Sequence, residues 1–368
     1  MKAEVPISNV RAEAYTVPTD RPEADGTIAW NKTTLVLVEV EGGGKVGIGY
    51  TYSGACIVEL IRETLAATIG GKDALAPQQA FSAMQRAVRN LGREGLAATA
   101  ISAVDSALQD LKARLLDLPL VRLLGARRSS IAIYGSGGFT TYSDGELEQQ
   151  LGGWVSRDGC AFVKMKIGSQ PARDPHRVAV AKRAIGDATL FVDANGAYGP
   201  KQAIKMANTF SEQNVAWFEE PVSSDDLAGL AMVRRHAPAG MEVAAGEYAY
   251  TVDYVRTMLA AGAVDVQQAD ATRCGGFTGF LAVADLCEAF HVDLSGHCAP
   301  ALHLHVACAA PRMRHLEWFH DHVRIERMLF DGAPQPRNGR IAPDLTRPGH
   351  GLTFKRRDAA CYAVSEAA

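Results

Sequence analysis

Residues 162–193 read FVKMKIGSQPARDPHRVAVAKRAIGDATLFVD, and this stretch decides the fold. A short apolar run is followed by a longer helical segment and then by a second short apolar run. This order is typical of a strand–helix–strand unit in a parallel sheet. Both runs end in ionisable residues: Lys164 and Lys166 close the first, and Asp193 closes the second.

The same unit recurs along the chain from about residue 131. Eight short apolar runs alternate with longer helical segments: IAIYGS, FVKMKI, TLFVDAN, VAWFEEP, EVAAGE, VDVQQAD, VDLSGH and HLEWF. Eight consecutive units indicate that the parallel sheet closes on itself. The predicted fold class is therefore α/β, with a TIM-like (β/α)8 barrel.

The chain is predicted to divide into three parts, of which the barrel is the second. Residues 1–125 form an α+β capping domain, because the β-rich run at residues 33–40 is followed by a second strand and by helical stretches. Residues 126–330 form the catalytic barrel. Residues 331–368 are rich in proline and glycine and are expected to return to the cap and complete it.

Seven of the eight runs end in polar or ionisable residues at a regular interval. From Lys166 onward, successive members lie between 20 and 28 positions apart, which is the length of one strand, loop and crossover helix. Equivalent strand ends meet at the C-terminal face of a barrel, where such barrels hold their active sites. The set comprises Lys164, Lys166, Asp193, Glu219, Glu247, Asp270, His297 and Glu317.

Asp193, Glu219 and Glu247 end three consecutive runs and offer only carboxylate oxygens. Hard oxygen ligands suit Mg²⁺, or Mn²⁺, and do not suit zinc. A single acid at a strand end is more often a helix cap or a surface ion pair. Three in succession at this period predict a metal site instead.

The other strand-end residues suit proton transfer. Lys164 and Lys166 share one strand face, and like charge with desolvation is expected to lower their pKa, so Lys166 is predicted as the general base. Lys164 lies deeper and is expected to contact a substrate carboxylate. Asp270 is predicted to orient His297 as a second acid or base. Glu317 is predicted as a protonated hydrogen-bond donor.

The ordered motifs resemble those of the enolase superfamily, specifically its mandelate racemase subgroup (mandelate racemase/muconate lactonizing enzyme-like). The matching elements are K-x-K at 164–166, DAN at 193–195, FEEP at 218–221, GE at 246–247, Asp270, SGH ending in His297 and HLEW containing Glu317. The resemblance implies Mg²⁺ bound by the three carboxylates, and Lys166 and the His297–Asp270 dyad as the two acid/base groups. It also implies that Asn195 touches a substrate hydroxyl and that the protein is a homo-oligomer.

The predicted chemistry removes the proton α to a substrate carboxylate and stabilises an enediolate. A lid loop at residues 19–30, TDRPEADGTIAW, is strongly polar, which favours dehydration of a hydroxyl-rich sugar acid such as an aldonate or aldarate. Arg21 and Tyr52 are predicted lid contacts to that substrate. The alternatives are a mandelate-like racemase or epimerase, a sugar-lactone cycloisomerase, and a non-catalytic binding protein on the same fold.

Bulk properties narrow the partners to a small-molecule carboxylate. The 38 basic and 41 acidic side chains nearly balance, which argues against nucleic acid as a partner. No apolar run approaches the length of a membrane span, and the N-terminus lacks a signal-peptide pattern. Seven scattered cysteines without a C-x-x-C pair indicate reduced thiols and a cytoplasmic location. Only Cys298 is singled out, because it follows His297.

Overall fold

The structure is a computed structural model that describes residues 4–364, and the capping unit comes first in the chain. Three antiparallel strands form a meander: β1 (Ile7–Ala24), β2 (Ala29–Gly42) and β3 (Lys45–Tyr52). Helical segments follow in chain order: α1 (Ile57–Glu59), a π-helical stretch (Leu60–Leu65), α2 (Ala66–Ile69), α3 (Pro77–Ala87), α4 (Leu96–Leu115) and α5 (Leu120–Leu124).

One face of the meander packs on α4 to form the core of the cap. Val36, Val38 and Val40 alternate along β2 and are fully buried, as strand geometry requires for a one-sided core. Ile101 and Leu108 present the matching buried face of α4, at the helical spacing that the sequence predicts.

The barrel follows as eight parallel strands. They are β4 (Ile131–Gly137), β5 (Phe162–Lys166), β6 (Thr189–Asp193), β7 (Val215–Glu219), β8 (Glu242–Ala245), β9 (Val266–Ala269), β10 (Asp293–Gly296) and β11 (Met313–Phe319). Each strand pairs with the next along the chain, and β11 pairs with β4 to close the ring. The predicted fold class is confirmed.

A helix follows each barrel strand on the outside. They are α6 (Asp144–Ser156), α7 (Asp174–Ile185), α8 (Pro200–Ser211), α9 (Leu227–His236), α10 (Val252–Ala260), α11 (Gly276–Phe290), α12 (Pro300–Ala309) and α13 (His320–Leu329). Within residues 4–364, every helix is too short or too polar to cross a bilayer.

Aromatic side chains fill the barrel below its mouth. The rings of Phe191 and Trp217 stack with centroids 4.9 Å apart, and Tyr134 meets the edge of Phe191. Side chains two residues apart on a strand share a face, so Asp193 follows Phe191 and Glu219 follows Trp217 on the inner face. The two carboxylates therefore lie directly above this apolar floor.

The C-terminal segment returns to the cap. Strands β12 (Phe330–Asp331) and β14 (Thr353–Phe354) pair with each other, and β13 (Arg340–Ile341) adds to β4. After α14 (Arg356–Ala359) and a 3-10 turn (Ala360–Tyr362), the Val364 amide donates to the Ala14 carbonyl of β1 at 2.9 Å. The segment therefore completes the capping unit.

The prediction of a lid loop at residues 19–30 is wrong in its secondary structure. Strand β1 continues to Ala24 and β2 begins at Ala29, so only residues 25–28 turn. Asp25 stabilises this turn because its side chain accepts hydrogen bonds from the backbone amides of Thr27 and Ile28. Polar residues and Pro22 suggest a loop, yet backbone pairing extends the strands around a register shift.

Candidate active site

Three carboxylates converge at the mouth of the barrel. Asp193 and Glu219 are register partners at the ends of β6 and β7, and Glu247 follows β8. One oxygen of each lies within 4.8 Å of the others, and all three side chains are buried. The Glu247 Oε2 atom has no hydrogen-bond partner among the described residues. Burial and the neighbouring Asp193 raise the pKa of Glu219 to about 8.

This arrangement fits a hard divalent cation. Buried carboxylates that repel one another are stable only when positive charge compensates them. The donor set is all oxygen, and Glu247 Oε2, which accepts no hydrogen bond from the described residues, can coordinate a cation.

Two lysines supply part of that positive charge. Lys164 is fully buried, and its Nζ donates to Glu219 and, at 2.9 Å, to Glu317. Lys166 lies higher on the same strand, where its Nζ donates to Asp193 Oδ2 at 2.6 Å and to Asn195 Oδ1 at 3.1 Å.

The expectation that these lysines have lowered pKa values is wrong for this arrangement. Burial lowers the pKa of Lys166 and is the largest single effect, but the carboxylates of Asp193, Glu247 and Glu219 together outweigh it, so the pKa is raised. The pKa of Lys164 is raised in the same way, by Glu219 and Glu317. Sequence reasoning counted the like charge of the other lysine and missed the closer opposite charges.

His297 and Asp270 form the predicted pair. The His297 Nδ1 donates to Asp270 Oδ2 at 2.8 Å, and Asp270 Oδ1 accepts from the Thr272 amide at 2.7 Å. The imidazole therefore presents Nε2 towards the mouth, 3.4 Å from Glu247 Oε2. Burial alone lowers the pKa of His297, but the charges of Glu247 and Glu317 prevail and raise it.

Glu317 is an acceptor, which corrects the prediction of a protonated donor. Its Oε1 accepts from Ser136 Oγ at 2.5 Å and from Lys164, and its Oε2 accepts from the Cys298 amide at 2.9 Å. Burial favours protonation, but Lys164 and His297 outweigh it and hold the pKa of Glu317 well below its usual range. The carboxylate anchors Lys164 and the turn after His297.

The predicted substrate contacts lie in different places. Asn195 is at the mouth and bonds Lys166. Arg21 instead forms a half-exposed ion pair with Glu146 of α6 at 2.6 Å. Tyr52 is buried and stacks on His322, with ring centroids 3.5 Å apart. His322 in turn accepts from the Ala299 amide, so Tyr52 lies behind the turn that follows His297.

Two residues at the mouth, Arg273 and Glu220, were missed by sequence reasoning. Arg273 donates to the Glu247 carbonyl at 3.0 Å, and its Nε lies 3.6 Å from Asp270 Oδ2. It therefore connects the three carboxylates to the His297–Asp270 pair. The backbone of Glu220 is left-handed at φ 37°, its side chain is buried, and burial together with the charge of Glu247 raises its pKa. Cys298 lies between His297 and Glu317.

The tip of the β1–β2 hairpin covers the lysine side of the mouth. A Cβ added at Gly26 would lie 2.4 Å from the Ala194 carbonyl oxygen and 2.6 Å from that of Ile167, so the turn touches the ends of β5 and β6. Trp30 packs edge-on against Phe139, with centroids 5.6 Å apart.

Gly26→Ala is expected to lower kcat/KM by about 10–100-fold, because a displaced lid misplaces the substrate. Two rigid carbonyl oxygens occupy the space of the new methyl group, so the hairpin must move. Steady-state kinetics measure the effect. The matched control is Gly145→Ala, where the added Cβ meets no atom within 4 Å. Equal kinetics for both variants would contradict a closed lid at Gly26.

Comparison with known proteins agrees with this geometry. Residues 10–125 match the family described as mandelate racemase/muconate lactonizing enzyme, N-terminal domain, and residues 146–359 match the one described as enolase C-terminal domain-like. The chain belongs to the mandelate racemase/muconate lactonizing enzyme family.

Relatives in the mandelate racemase/muconate lactonizing enzyme family cover nearly the whole chain. It is 31% identical to the 3,6-anhydro-alpha-L-galactonate cycloisomerase of Streptomyces coelicolor, over 95% of this chain and 98% of that one. A mandelate racemase/muconate lactonizing enzyme-like protein from Rubrobacter xylanophilus superposes with a TM-score of 0.95 at 48% identity, over 98% and 100%. The L-talarate dehydratase of Polaromonas sp. JS666, solved with Mg and L-glucarate, superposes with a TM-score of 0.89 at 31% identity. The match covers 99% of this chain and 98% of that one.

Proposed function

We propose that this protein is a Mg²⁺-dependent dehydratase of a sugar acid, an aldonate or aldarate. One observation carries the proposal. Three buried carboxylates meet at the barrel mouth, and one of their oxygens accepts no hydrogen bond within residues 4–364. A lysine lies on one side of them and an aspartate-oriented histidine on another. Proton abstraction α to a carboxylate needs a cation and positioned acid/base groups of this kind.

Asp193, Glu219 and Glu247 would hold the cation. When bound, Mg²⁺ supplies Lewis-acid polarisation of a substrate carboxylate oxygen, which acidifies the α-proton. Lys164 contributes a second positive charge from below, fixed by Glu219 and Glu317. These fixed charges stabilise the negative charge that develops on the enediolate oxygens.

Lys166 acts as the base that takes the α-proton. The carboxylates around Lys166, Asp193 first among them, raise its pKa, so the amine becomes available once their charge is compensated. Asn195 holds the Nζ atom from its other side and thereby fixes the direction of the amine.

The His297–Asp270 pair acts as the acid. Asp270 fixes Nδ1, so the transferable proton sits on Nε2, which faces the mouth from β10. Lys166 lies on β5, three strands away around the closed ring. The two groups therefore reach the substrate from different sides, and His297 protonates the departing β-hydroxyl.

The preference for a sugar acid is supported by the relatives more than by the lid. The polar residues of the hairpin that suggested a hydroxyl-rich substrate have protein partners: Arg21 bonds Glu146, Asp20 bonds His320 and Asp25 caps its own turn. By contrast, one relative is named as an L-talarate dehydratase. Lactone cycloisomerisation is the second candidate, because a relative over 95% of this chain is named as a cycloisomerase.

The decisive experiment incubates the Mg²⁺-loaded protein in D₂O with a panel of acid sugars and their lactones. A 2-keto-3-deoxy acid product supports dehydration. A rearranged lactone supports cycloisomerisation, and α-deuteration without elimination supports a racemase or epimerase. An active-site-intact protein that leaves every carboxylate unchanged overturns the proposal and favours a binding protein.

Mg²⁺ is expected to stabilise the folded protein by about 3 kcal/mol at a concentration 100-fold above its Kd. Only the folded chain assembles the three carboxylates, so the cation binds the native state preferentially. Thermal unfolding with and without MgCl₂ measures this. Glu247→Gln is expected to lose most of the shift, while Glu148→Gln on the exposed face of α6 keeps it. An undiminished shift in Glu247→Gln would contradict the assignment of Glu247 as a ligand.

A further inference from the structure

Cys298 stands in an unusual turn beside the acid/base histidine. Cys298 and Ala299 both adopt left-handed backbone conformations, at φ 52° and 38°, which non-glycine residues rarely do. The turn is held by the bond from the Cys298 amide to Glu317 Oε2 at 2.9 Å. Side chains of neighbouring residues in a strand point to opposite faces, but this turn directs the Cys298 thiol towards both His297 and Glu317. Such backbone outliers often mark functional sites.

Three different donor atoms meet there. Cys298 Sγ lies 3.3 Å from His297 Nε2 and 3.4 Å from Glu317 Oε2, and the nitrogen and oxygen are 3.7 Å apart. A tetrahedral zinc ion has bonds of about 2.3 Å to sulfur and about 2.0–2.1 Å to nitrogen and oxygen, so its ligand atoms are separated by roughly 3.3–3.6 Å. The three distances in the structure lie within about 0.4 Å of the edges of one face of that tetrahedron.

We propose that His297, Cys298 and Glu317 form a second metal site, which takes Zn²⁺ or another soft divalent ion in preference to Mg²⁺. The three side chains are 5%, 4% and 1% exposed. A thiolate and an imidazole are ligands that zinc prefers and magnesium avoids. The oxygen-only cluster of Asp193, Glu219 and Glu247 has the opposite preference.

The surrounding hydrogen bonds are compatible with this site. Asp270 accepts the Nδ1 hydrogen of His297, so Nε2 is the nitrogen that can lose its proton and offer a lone pair to a metal, as is common for zinc-bound histidines backed by a carboxylate. Glu317 uses Oε1 for Lys164 and Ser136, so Oε2 keeps a lone pair beside its bond to the Cys298 amide. Binding releases the thiol proton of Cys298 and the proton on His297 Nε2 to solvent, and a water molecule or a substrate oxygen takes the fourth position.

Occupancy of this site would block the acid/base histidine. The same Nε2 lone pair cannot bind a soft metal and transfer a proton, so zinc is expected to inhibit even when Mg²⁺ saturates the carboxylate cluster. This inhibition rests on the proposed function, whereas binding of the metal does not.

The test uses Co²⁺ as a spectroscopic substitute for zinc, with the full-length protein in excess Mg²⁺. Wild type is expected to develop thiolate-to-cobalt charge-transfer absorption, which Zn²⁺ then abolishes by displacement. Cys298→Ser should lose the band and bind Zn²⁺ about 100-fold more weakly or worse. The matched control Cys361→Ser removes an exposed thiol and should keep the band. Glu247→Gln should also keep it, because the soft site does not use that carboxylate.

The outcomes separate this inference from the proposed function. Absence of the band in wild type, its survival in Cys298→Ser or its loss in Glu247→Gln each overturns the second site. A band in a protein that leaves all acid sugars unchanged supports the second site and removes only the sugar-acid assignment. If turnover is found, Zn²⁺ should inhibit Cys298→Ser at least tenfold less effectively than wild type, and equal inhibition would contradict a block at Nε2.

Discussion

Lys166→Ala is expected to lower kcat by at least about 100-fold and towards 10⁴-fold on the substrate that the screen identifies. The variant removes the amine proposed to take the α-proton, so exchange of that proton with D₂O should fall equally. Mg²⁺ binding should remain, because Lys166 is not a ligand and its removal leaves Asp193 with one competing cation fewer. Steady-state kinetics, proton NMR and calorimetry measure the three effects.

The control for this variant is Lys205→Ala, which removes an exposed lysine of α8. It should match wild type in all three measurements. Near-native turnover in Lys166→Ala would show that another group is the base. Parallel loss of turnover and Mg²⁺ binding would instead indicate a structural role for the lysine.

His297→Asn is expected to reduce product formation by a similar factor but to spare the first step. Lys166 can still exchange the α-proton, whereas the β-hydroxyl lacks its acid, so α-deuterium should enter unreacted substrate without elimination. Mass spectrometry of recovered substrate in D₂O detects this uncoupling. His176→Asn changes an exposed histidine on α7 and should behave as wild type.

A different outcome would reassign the roles. If His297→Asn lost α-proton exchange while Lys166→Ala retained it, the histidine would be the base and the lysine the acid. If both variants eliminated the hydroxyl normally, neither residue would take part in the proposed chemistry.

The barrel and its strand-end residues could be predicted because they repeat. One strand, one loop and one helix occupy a nearly constant length, so Asp193, Glu219 and Glu247 fall at regular intervals. In a parallel barrel, equal positions in the repeat mean proximity in space. The structure places their carboxylate oxygens together, as this reasoning expects. The catalytic roles, the domain limits, the homo-oligomeric state and the cytoplasmic location stay predictions.

The protonation states could not be predicted, because they depend on distances between strands. The sequence shows Lys164 next to Lys166 in one strand, which suggests repulsion. Only the folded barrel shows that Glu219 and Glu317, from other strands, lie in direct contact with Lys164. The same contacts ionise Glu317, which was expected to be protonated.

Two side-chain directions at the mouth could not be predicted, because the backbone departs there from regular geometry. Glu220 and Cys298 both have left-handed conformations directly after a barrel strand or its terminal histidine. Strand alternation no longer applies at such positions, so the side-chain direction cannot be counted from the strand. The prediction of a loop at residues 19–24 is wrong for a related reason, because pairing with β2 overrides their loop-like composition.

The central claim is that one divalent cation sits among the three strand-end carboxylates, and anomalous diffraction from crystals grown with Mn²⁺ tests it most directly. We expect a strong peak within coordination distance of Asp193, Glu219 and Glu247. A Mn²⁺ peak bound elsewhere, for example by Asp20, Glu23 and His320 at the hairpin, with none among the three carboxylates, would contradict it.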